Sequence, residues 1–286
     1  MGSKEPASFF FLRLQLHAVT DGRKTREKGM KATYHNGRGG NPDHNDRHIS
    51  KNTADHVDWD KTHLNRYVCL YPGMTFRQAE KKFYRETFKK YRQERNRTAK
   101  KYRHADRKKT VDSMLRNERT RPEETVIQLG DVNEQPDPNN PQYREDLSEI
   151  FNSLVQYSNE ITNYHGRILD AALHMDESTP HIHIRKVWVY NDSGVYKVGQ
   201  EKALERAGVP LPHPERPQSQ WNNRKVTYDR MMREKLISLC LERGYKIEIE
   251  TADPHRKHMN KKDYIVSQIK KARSRTRYVP VPDPEK

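Results

Sequence analysis

Apolar and polar positions along the chain change period several times, and each period predicts an element. Residues 8–16 (SFFFLRLQL) end in alternation, the pattern of a half-buried strand. From 18 to 63 no period is sustained, and the Gly, Asn, Asp, His and Lys content predicts a long irregular segment. Thr75 and Gln78 have the spacing of a capping box, and Phe76, Phe83, Phe88 and Tyr91 follow near helical spacing. A single long helix is predicted over 76–121, stopped by Pro122. A short strand at 126–129 and a Pro/Asn-rich loop at 131–142 come next. Helix 143–164 carries Leu147, Ile150, Phe151, Leu154 and Val155 on one face. Strands at 166–175 and 181–190 are joined by Asp-Glu-Ser-Thr-Pro and are expected to pair antiparallel. A loop with four prolines at 208–220, a helix at 226–243 closed by Gly244 and a strand at 246–250 complete the pattern. The expected class is α+β: a mostly antiparallel five-stranded sheet with helices packed on one face, and a long basic helix. Residues 1–250 are expected to form one domain, and 251–286 a basic, flexible tail with a short helix near 261–273.

Charge adds the partner. The 286 residues carry a net charge of +16, and 33% of them are charged. No apolar run reaches the ~18 residues of a spanning helix. Two cysteines, Cys69 and Cys240, exclude a disulfide scaffold, and Arg13 breaks the only N-terminal apolar run. A reducing, cytoplasmic setting without membrane insertion is the expectation. Residues 77–121 hold 18 Lys/Arg against 6 Asp/Glu, most of the excess. Lys89, Lys90, Arg95, Lys100, Lys101, Arg107 and Lys108 are therefore candidate phosphate contacts, with Tyr84, Tyr91 and Tyr102 interleaved for stacking. The plainer alternative is a solvated basic helix.

The chemistry concentrates in His174-Met-Asp-Glu177-Ser-Thr-Pro-His181-Ile-His183. His181 and His183, two apart on a strand, point to one face. His174 can meet them across the turn. Three converging imidazoles make a site for a divalent ion with open positions, Mn²⁺, Mg²⁺ or Zn²⁺. Asp176 and Glu177 are candidate ligands, orienters or base. Beside this cluster, His48, His56 and His63 read as polar loop residues. Arg185 and Lys186 read as strand-face charges, and Trp188 and Tyr190 as core or sheet-face residues.

The string ALHMDESTPHIHI resembles the His-hydrophobe-His motif of HUH endonucleases, in the form seen in plasmid mobilisation relaxases of the Mob/Pre (MobV-type) family. HNDR at 44–47, THLNRY at 62–67 and the stretch from FRQAEKKFYRETFKKYRQERNR to VIQLGD resemble the same family, so the likeness spans about 8–250. The resemblance implies a relaxase that nicks and rejoins one DNA strand at an origin of transfer through a covalent protein–DNA link. It implies that His174, His181 and His183 bind the metal and that Glu177 supports the site. It places the nucleophile at His44, with Asn45 and Arg47 beside it. The string YHNGR at 34–38 also reads His-Asn-x-Arg, so His35 and Tyr34 stay open as alternatives. The implied partner is plasmid DNA, as a single strand or hairpin, with relaxosome or coupling proteins.

In-line attack on a phosphodiester builds charge on its oxygens, which an ion and guanidinium groups stabilise. Arg38 and Arg47 are candidate phosphate clamps, and Asp43 or Asp46 could fix the tautomer of a nucleophilic imidazole. The competing readings are a rolling-circle initiator or single-strand transposase with the same metal strands, and a non-catalytic DNA-binding protein with a structural ion.

Overall fold

A computed structural model describes residues 29–37, 40–131 and 133–248. The expected strand at 8–16, Arg38 and the 251–286 tail lie outside the described residues. The chain divides into one unit ending at Ile247 and a second beginning at Glu248. The elements are β1 (Met30–Gly37), α1 (Pro42–Asn45), β2 (Arg66–Cys69), α2 (Phe76–Thr87), α3 (Lys89–Lys101), α4 (Val111–Arg116), β3 (Glu123–Leu129), α5 (Pro141–Ile161), β4 (Gly166–His174), β5 (His181–Asp192), β6 (Val195–Val198), α6 (Gln200–Arg206), α7 (Arg224–Glu242) and β7 (Ile247–Glu248).

The sheet has seven strands rather than the expected five, in the order β2-β4-β5-β3-β1-β7 with β6 on β5. The β1–β3, β2–β4, β3–β5, β4–β5 and β5–β6 pairings are all antiparallel. The expected hairpin is β4–β5, in register from Gly166↔Trp188 to His174↔His181. A bulge between Ile168 and Asp170 sets Asp170 opposite Arg185 and leaves Leu169 as the extra residue.

Helices cover both faces of the sheet, not one. On the first face, α5, α6 and α7 bury Tyr143, Ile150, Phe151, Leu204, Tyr228 and Leu236 against Ile127, Ile168, Leu173, Ile182, Ile184 and Trp188. On the second, Phe83, Tyr84, Phe88 and Met114 pack on Leu169, Val187 and Val189. This second core is short and covers only the β6 end of β5. The other end of that face is left for polar side chains.

The predicted single helix over 76–121 is a chain of shorter pieces. Its start is as expected: Thr75 and Gln78 form a reciprocal capping box. It breaks at Phe88, whose ring is fully buried in the second core and whose backbone leaves helical geometry (φ −97°, ψ 17°). It breaks again at Arg103, with φ 57°, before a new capping box at Thr110 and Ser113 opens α4. Packing of the aromatic residues onto the sheet overrides the local periodicity. The segment expected to be irregular from 18 to 63 contains β1, a strand its pattern does not announce. The alternation (Ala32, Tyr34 and Asn36 against Thr33, His35 and Gly37) is masked by small and polar residues at the inward positions.

Candidate active site

Three of the histidines come from the turn end of β4–β5. The ring centroids of His174, His181 and His183 lie 4.8–5.1 Å apart. Each ring has one nitrogen held from outside. His174 Nε2 is 2.9 Å from the Asn45 carbonyl, His181 Nδ1 2.9 Å from the Thr179 carbonyl, and His183 Nδ1 3.3 Å from Glu124 Oε1. All three partners can only accept, so these nitrogens carry the protons. The inward nitrogens are therefore bare. His174 Nδ1 and His181 Nε2 face one another at 3.3 Å with no proton to share, and His183 Nε2 is buried without a hydrogen-bond partner. Lone pairs so arranged repel each other, and a cation among them removes the repulsion. Ligand atoms within 4.8 Å of one another group as His174 with Glu177 and His181, and as His44 with His174 and His183, so the cluster fits a divalent ion.

Burial and the neighbouring imidazoles reinforce this. Burial, His183 and His181 push the His174 pKa far down, and burial and His183 push that of His181 down to about 4. Both rings are neutral at neutral pH, the state that binds metal. Burial would raise Glu124, but its hydrogen bond with His183 and the charge of Arg185 draw it down to about 2. Glu177 behaves alike: burial is outweighed by contacts with His44, His181 and Arg47, which hold it well below the usual carboxylate range.

The segment between β1 and α2 lies over this cluster. Asn41 caps α1 through Asp43 N, and Pro42 starts it. His44, on α1, has its ring centroid 5.5 Å from His174 and 6.0 Å from His183, and its side chain is 24% exposed. Arg47 follows in the left-handed region (φ 62°), which costs a non-glycine residue roughly 1–2 kcal/mol. What holds it there is a buried carboxylate: Arg47 Nε donates to Asp176 Oδ2 at 2.9 Å, and its second nitrogen bonds both Asp176 and Glu177. Its third reaches the His44 carbonyl at 3.0 Å. Arg47 is therefore not a free phosphate clamp, as the sequence suggested, but a strut between His44 and the β4–β5 turn.

The THLNRY stretch belongs to the same network. Thr62 Oγ1 and Asn65 Nδ2 donate to Asp176 Oδ2 at 3.0 and 2.7 Å, and Asn65 Oδ1 accepts from Met175 N at 2.7 Å. Asp176 is thus an anchor rather than a ligand. His44 Nε2 is 3.4 Å from an Arg47 nitrogen, which can only donate, and 3.5 Å from Glu177 Oε1, which as a carboxylate only accepts. One ring nitrogen cannot satisfy both, so Arg47 and Glu177 compete over the proton on His44.

The alternatives separate by strand parity. Tyr34 belongs to the β1 face with Ala32 and Asn36, beside Glu123 and Tyr228, and its hydroxyl is buried on the side of the sheet opposite the histidines. His35 shares the histidine face but lies two strands from His183, in the row His35–Val126–His183, a backbone separation of about 10 Å. His44 is the one of the three among the histidines.

Some site residues carry no signal of their own in the sequence. Glu124 orients His183 and is held by Asn45 Nδ2 at 2.7 Å. A Cβ at Gly40 would collide with the Glu124 carboxylate and the Arg185 guanidinium, so glycine lets the chain close over them. Arg185 and Lys186 are buried rather than strand-face charges. Arg185 Nε donates to Glu80 at 2.7 Å beside Glu124 and Asp170. Lys186 turns to the opposite face, to Thr125 and Glu123. Burial and Glu80, against the pull of Arg185, push the Asp170 carboxyl well up. The one available hint was the adjacent pair Glu123–Glu124 opening a strand, one carboxylate for each face.

The basic candidates are elsewhere. Lys89, Lys90, Arg95, Lys100, Lys101, Arg107 and Lys108 are all exposed. Lys90 reaches the Gly194 carbonyl at 3.5 Å, at the β5–β6 turn. That turn is the length of β5 from His181, about 35 Å at strand rise. A groove of about 450 Å³ lined by Arg85, Lys89 and Arg92 lies on the same basic side.

A family model described as plasmid recombination enzyme (Mob/Pre) matches residues 77–219, half of the chain. The chain belongs to the plasmid recombination enzyme family. The matched stretch includes His174, Glu177, His181 and His183, whereas His44 and Arg47 precede it. No curated protein sequence matches the chain. Among solved structures the chain is similar to the MobM relaxase domain (MOBV), Mn-bound, on plasmid pMV158 oriT DNA of 22 nucleotides with a 3′ thiophosphate: 16% identity, 84% of this chain and 99% of that one, TM-score 0.49. A second Mn-bound MobM–oriT structure, at pH 4.6, gives 17% identity, 84% and 100% coverage and a TM-score of 0.47. Among the described residues no helix is long and apolar enough to cross a membrane.

Proposed function

We propose that this family member nicks and rejoins one strand of plasmid DNA at an origin of transfer, with His44 as nucleophile and His174, His181 and His183 as metal ligands. The observation that carries the reading is the convergence of three outward-tethered imidazoles, their bare nitrogens turned inward, on a fourth, half-exposed histidine. A divalent ion held there, Mn²⁺ or Mg²⁺ for phosphate chemistry and Zn²⁺ by donor type, supplies Lewis-acid polarisation of the scissile phosphate oxygens.

The chain's own residues do the rest. Asn45, Thr179 and Glu124 fix the tautomers of the three ligating rings. Arg47, locked by Asp176, holds the α1 turn so that His44 faces the cluster, and its contact favours a lone pair on His44 Nε2. That nitrogen forms a bond to phosphorus while the bond from phosphorus to the 3′ oxygen breaks. The 3′ oxygen leaves as a hydroxyl after taking a proton from solvent, and the 5′ phosphate stays on the imidazole as a phosphoramidate. Attack by a 3′ hydroxyl on that phosphorus reverses the step and rejoins the strand. The ester's energy is retained in the protein–DNA bond, so no external energy source is needed. The exposed lysines and arginines of α3 hold the DNA backbone away from the nick, which suits a hairpin or an extended strand. The setting of such work is the cytoplasm, where the plasmid is.

The test is a denaturing gel of the purified protein with Mn²⁺ and oligonucleotides from the candidate origin of its own plasmid. A heat-stable, shifted protein–DNA band whose peptide map ends on His44 is expected. Tight binding with no band and no nick would overturn the reading in favour of a DNA-binding protein with a structural ion.

A further inference from the structure

His56 has no part in that chemistry, yet the fold holds it against the nucleophile. Ala54 and Val57 on either side of it are buried, and Asp58 N donates to the Asp176 carbonyl at 2.7 Å. The anchored backbone places the His56 ring nearly parallel to that of His44, 5.6 Å between centroids and 23° between planes. Glu177 bridges His44, His56, His174 and His181, with Oε1 3.5 Å from His44 Nε2. Oε1 is 3.7 Å from His174 Nδ1 and 3.8 Å from His181 Nε2, while Oε2 is 4.0 Å from His56 Nε2. One ligand atom each from His44, His56 and Glu177 lie within 4.8 Å of one another, as do those of His174, Glu177 and His181. These two sets share Glu177, and a third set, His44 with His174 and His183, brings His44 to the first centre as well, so His56 is the residue that belongs to the second site alone.

We propose that His44, His56 and Glu177 form a second divalent-cation site, selective for imidazole-preferring ions of the Zn²⁺ class, whose filling silences the nucleophile. Two imidazoles and a carboxylate with an open position is a zinc donor set. Zn²⁺ gains more from imidazole than Mn²⁺ or Mg²⁺ does, so the ions that support phosphate chemistry leave this site empty. The half-exposed His56 ring and the bridging carboxylate close the remaining distance by side-chain rotation. A metal bond to His44 uses the lone pair that attack on phosphorus requires, so ligation and nucleophilic attack exclude one another. The inhibitory consequence rests on His44 being the nucleophile; the binding site itself does not.

Equilibrium dialysis of the full-length protein against Zn²⁺, with metal measured by elemental analysis, tests the site directly. The wild type is expected to retain one equivalent more than His56→Gln, while Mn²⁺ retention is the same in both and reports an intact first centre. Equal Zn²⁺ retention in the two proteins, or loss of the Mn²⁺ equivalent along with the Zn²⁺, overturns the proposal. In a nicking assay with Mn²⁺, each protein normalised to its own zinc-free rate, added Zn²⁺ is expected to stop the wild type at concentrations that spare His56→Gln; equal inhibition overturns the silencing. Absence of nicking by the wild type at every metal condition would instead count against His44 chemistry and leave the dialysis result standing.

Discussion

β5 is two strands in one. Its residues Ile182, Ile184 and Trp188 enter the core between the sheet and α5, α6 and α7, in which Lys186, paired with Glu123, is the buried charge. The intervening His181, His183 and Arg185 stand on the other face among carboxylates, imidazoles and a guanidinium. The apolar face is stabilised by area removed from water, which is non-directional and tolerant. The polar face is stable because its buried groups find partners on α2 (Glu80), β3 (Glu124) and the β4–β5 turn (Thr179), and in the segment between β1 and α2, which supplies Asn45, Arg47, Thr62 and Asn65. Hydrogen bonds from several elements, the segment between β1 and α2 among them, therefore set the site's geometry. Of the polar-face atoms without a hydrogen-bond partner (Asp170 Oδ1 and Oδ2, Arg185 Nη1 and His183 Nε2), His183 Nε2 is the one that belongs to the imidazole cluster, and it marks where a ligand belongs.

The two faces come apart most clearly in His44→Ala. It is expected to lower nicking at least about a thousandfold and abolish the adduct, while leaving the thermal midpoint near that of the wild type. Retained adduct would move the nucleophile elsewhere. The mirror experiment is Ile184→Ala, on the other face of the same strand. It is expected to cost about 2–5 kcal/mol of stability by leaving a cavity, read by denaturant unfolding, with nicking retained at low temperature. Asn65→Ala removes a donor to Asp176 and an acceptor for Met175 N together. About 1–3 kcal/mol and weaker Mn²⁺ binding are expected; unchanged metal affinity would show that the turn holds its shape without the loop.

A pH series separates the faces without mutation. The folded-state pKa of His181, about 4, lies below the unfolded value, near 6.5. Between these the unfolded chain binds more protons, so stability of the metal-free protein rises with pH across this window and falls on acidification from about 6.5 towards 4. Thermal midpoints measured at intervals should rise with pH across this window, and His181→Gln should lessen the slope while the share from His174 remains. The smallest effect is expected from α3. Neutralising Lys89, Lys90 and Lys100 should reduce the salt slope of duplex binding by about 0.9 for each phosphate that the protein no longer neutralises. A slope that does not move would make α3 a solvated helix.

Much of the site was legible because it is local. His174, Glu177, His181 and His183 lie within ten residues, and strand parity with one turn suffices to bring them together. The roles of Asp176 and Arg47 were misjudged because a sequence does not show whether a charged side chain finds a buried partner. Asp176 anchors Arg47, Thr62 and Asn65 rather than facing an ion, and Arg47 is spent on that anchor rather than offered to phosphate. Tyr34 and His35, adjacent in the chain, could be told apart only once β1 was known to be a strand, because alternation then sends them to opposite faces.

The order of residues was enough for the histidine cluster of the β4–β5 hairpin, the capped start of α2 and the basic excess that calls for a polyanion. These depend on period, caps and charge, which act over a few residues. Folding in three dimensions was needed to break the basic helix at Phe88 and to set it a strand's length from the histidines. It was needed also to bring His44 rather than Tyr34 to them, and to give Glu124 and Asn45 control of the tautomers. Each of these joins residues tens of positions apart. They are fixed by which side chains share a buried face, and that follows from sheet order and packing rather than from any local pattern.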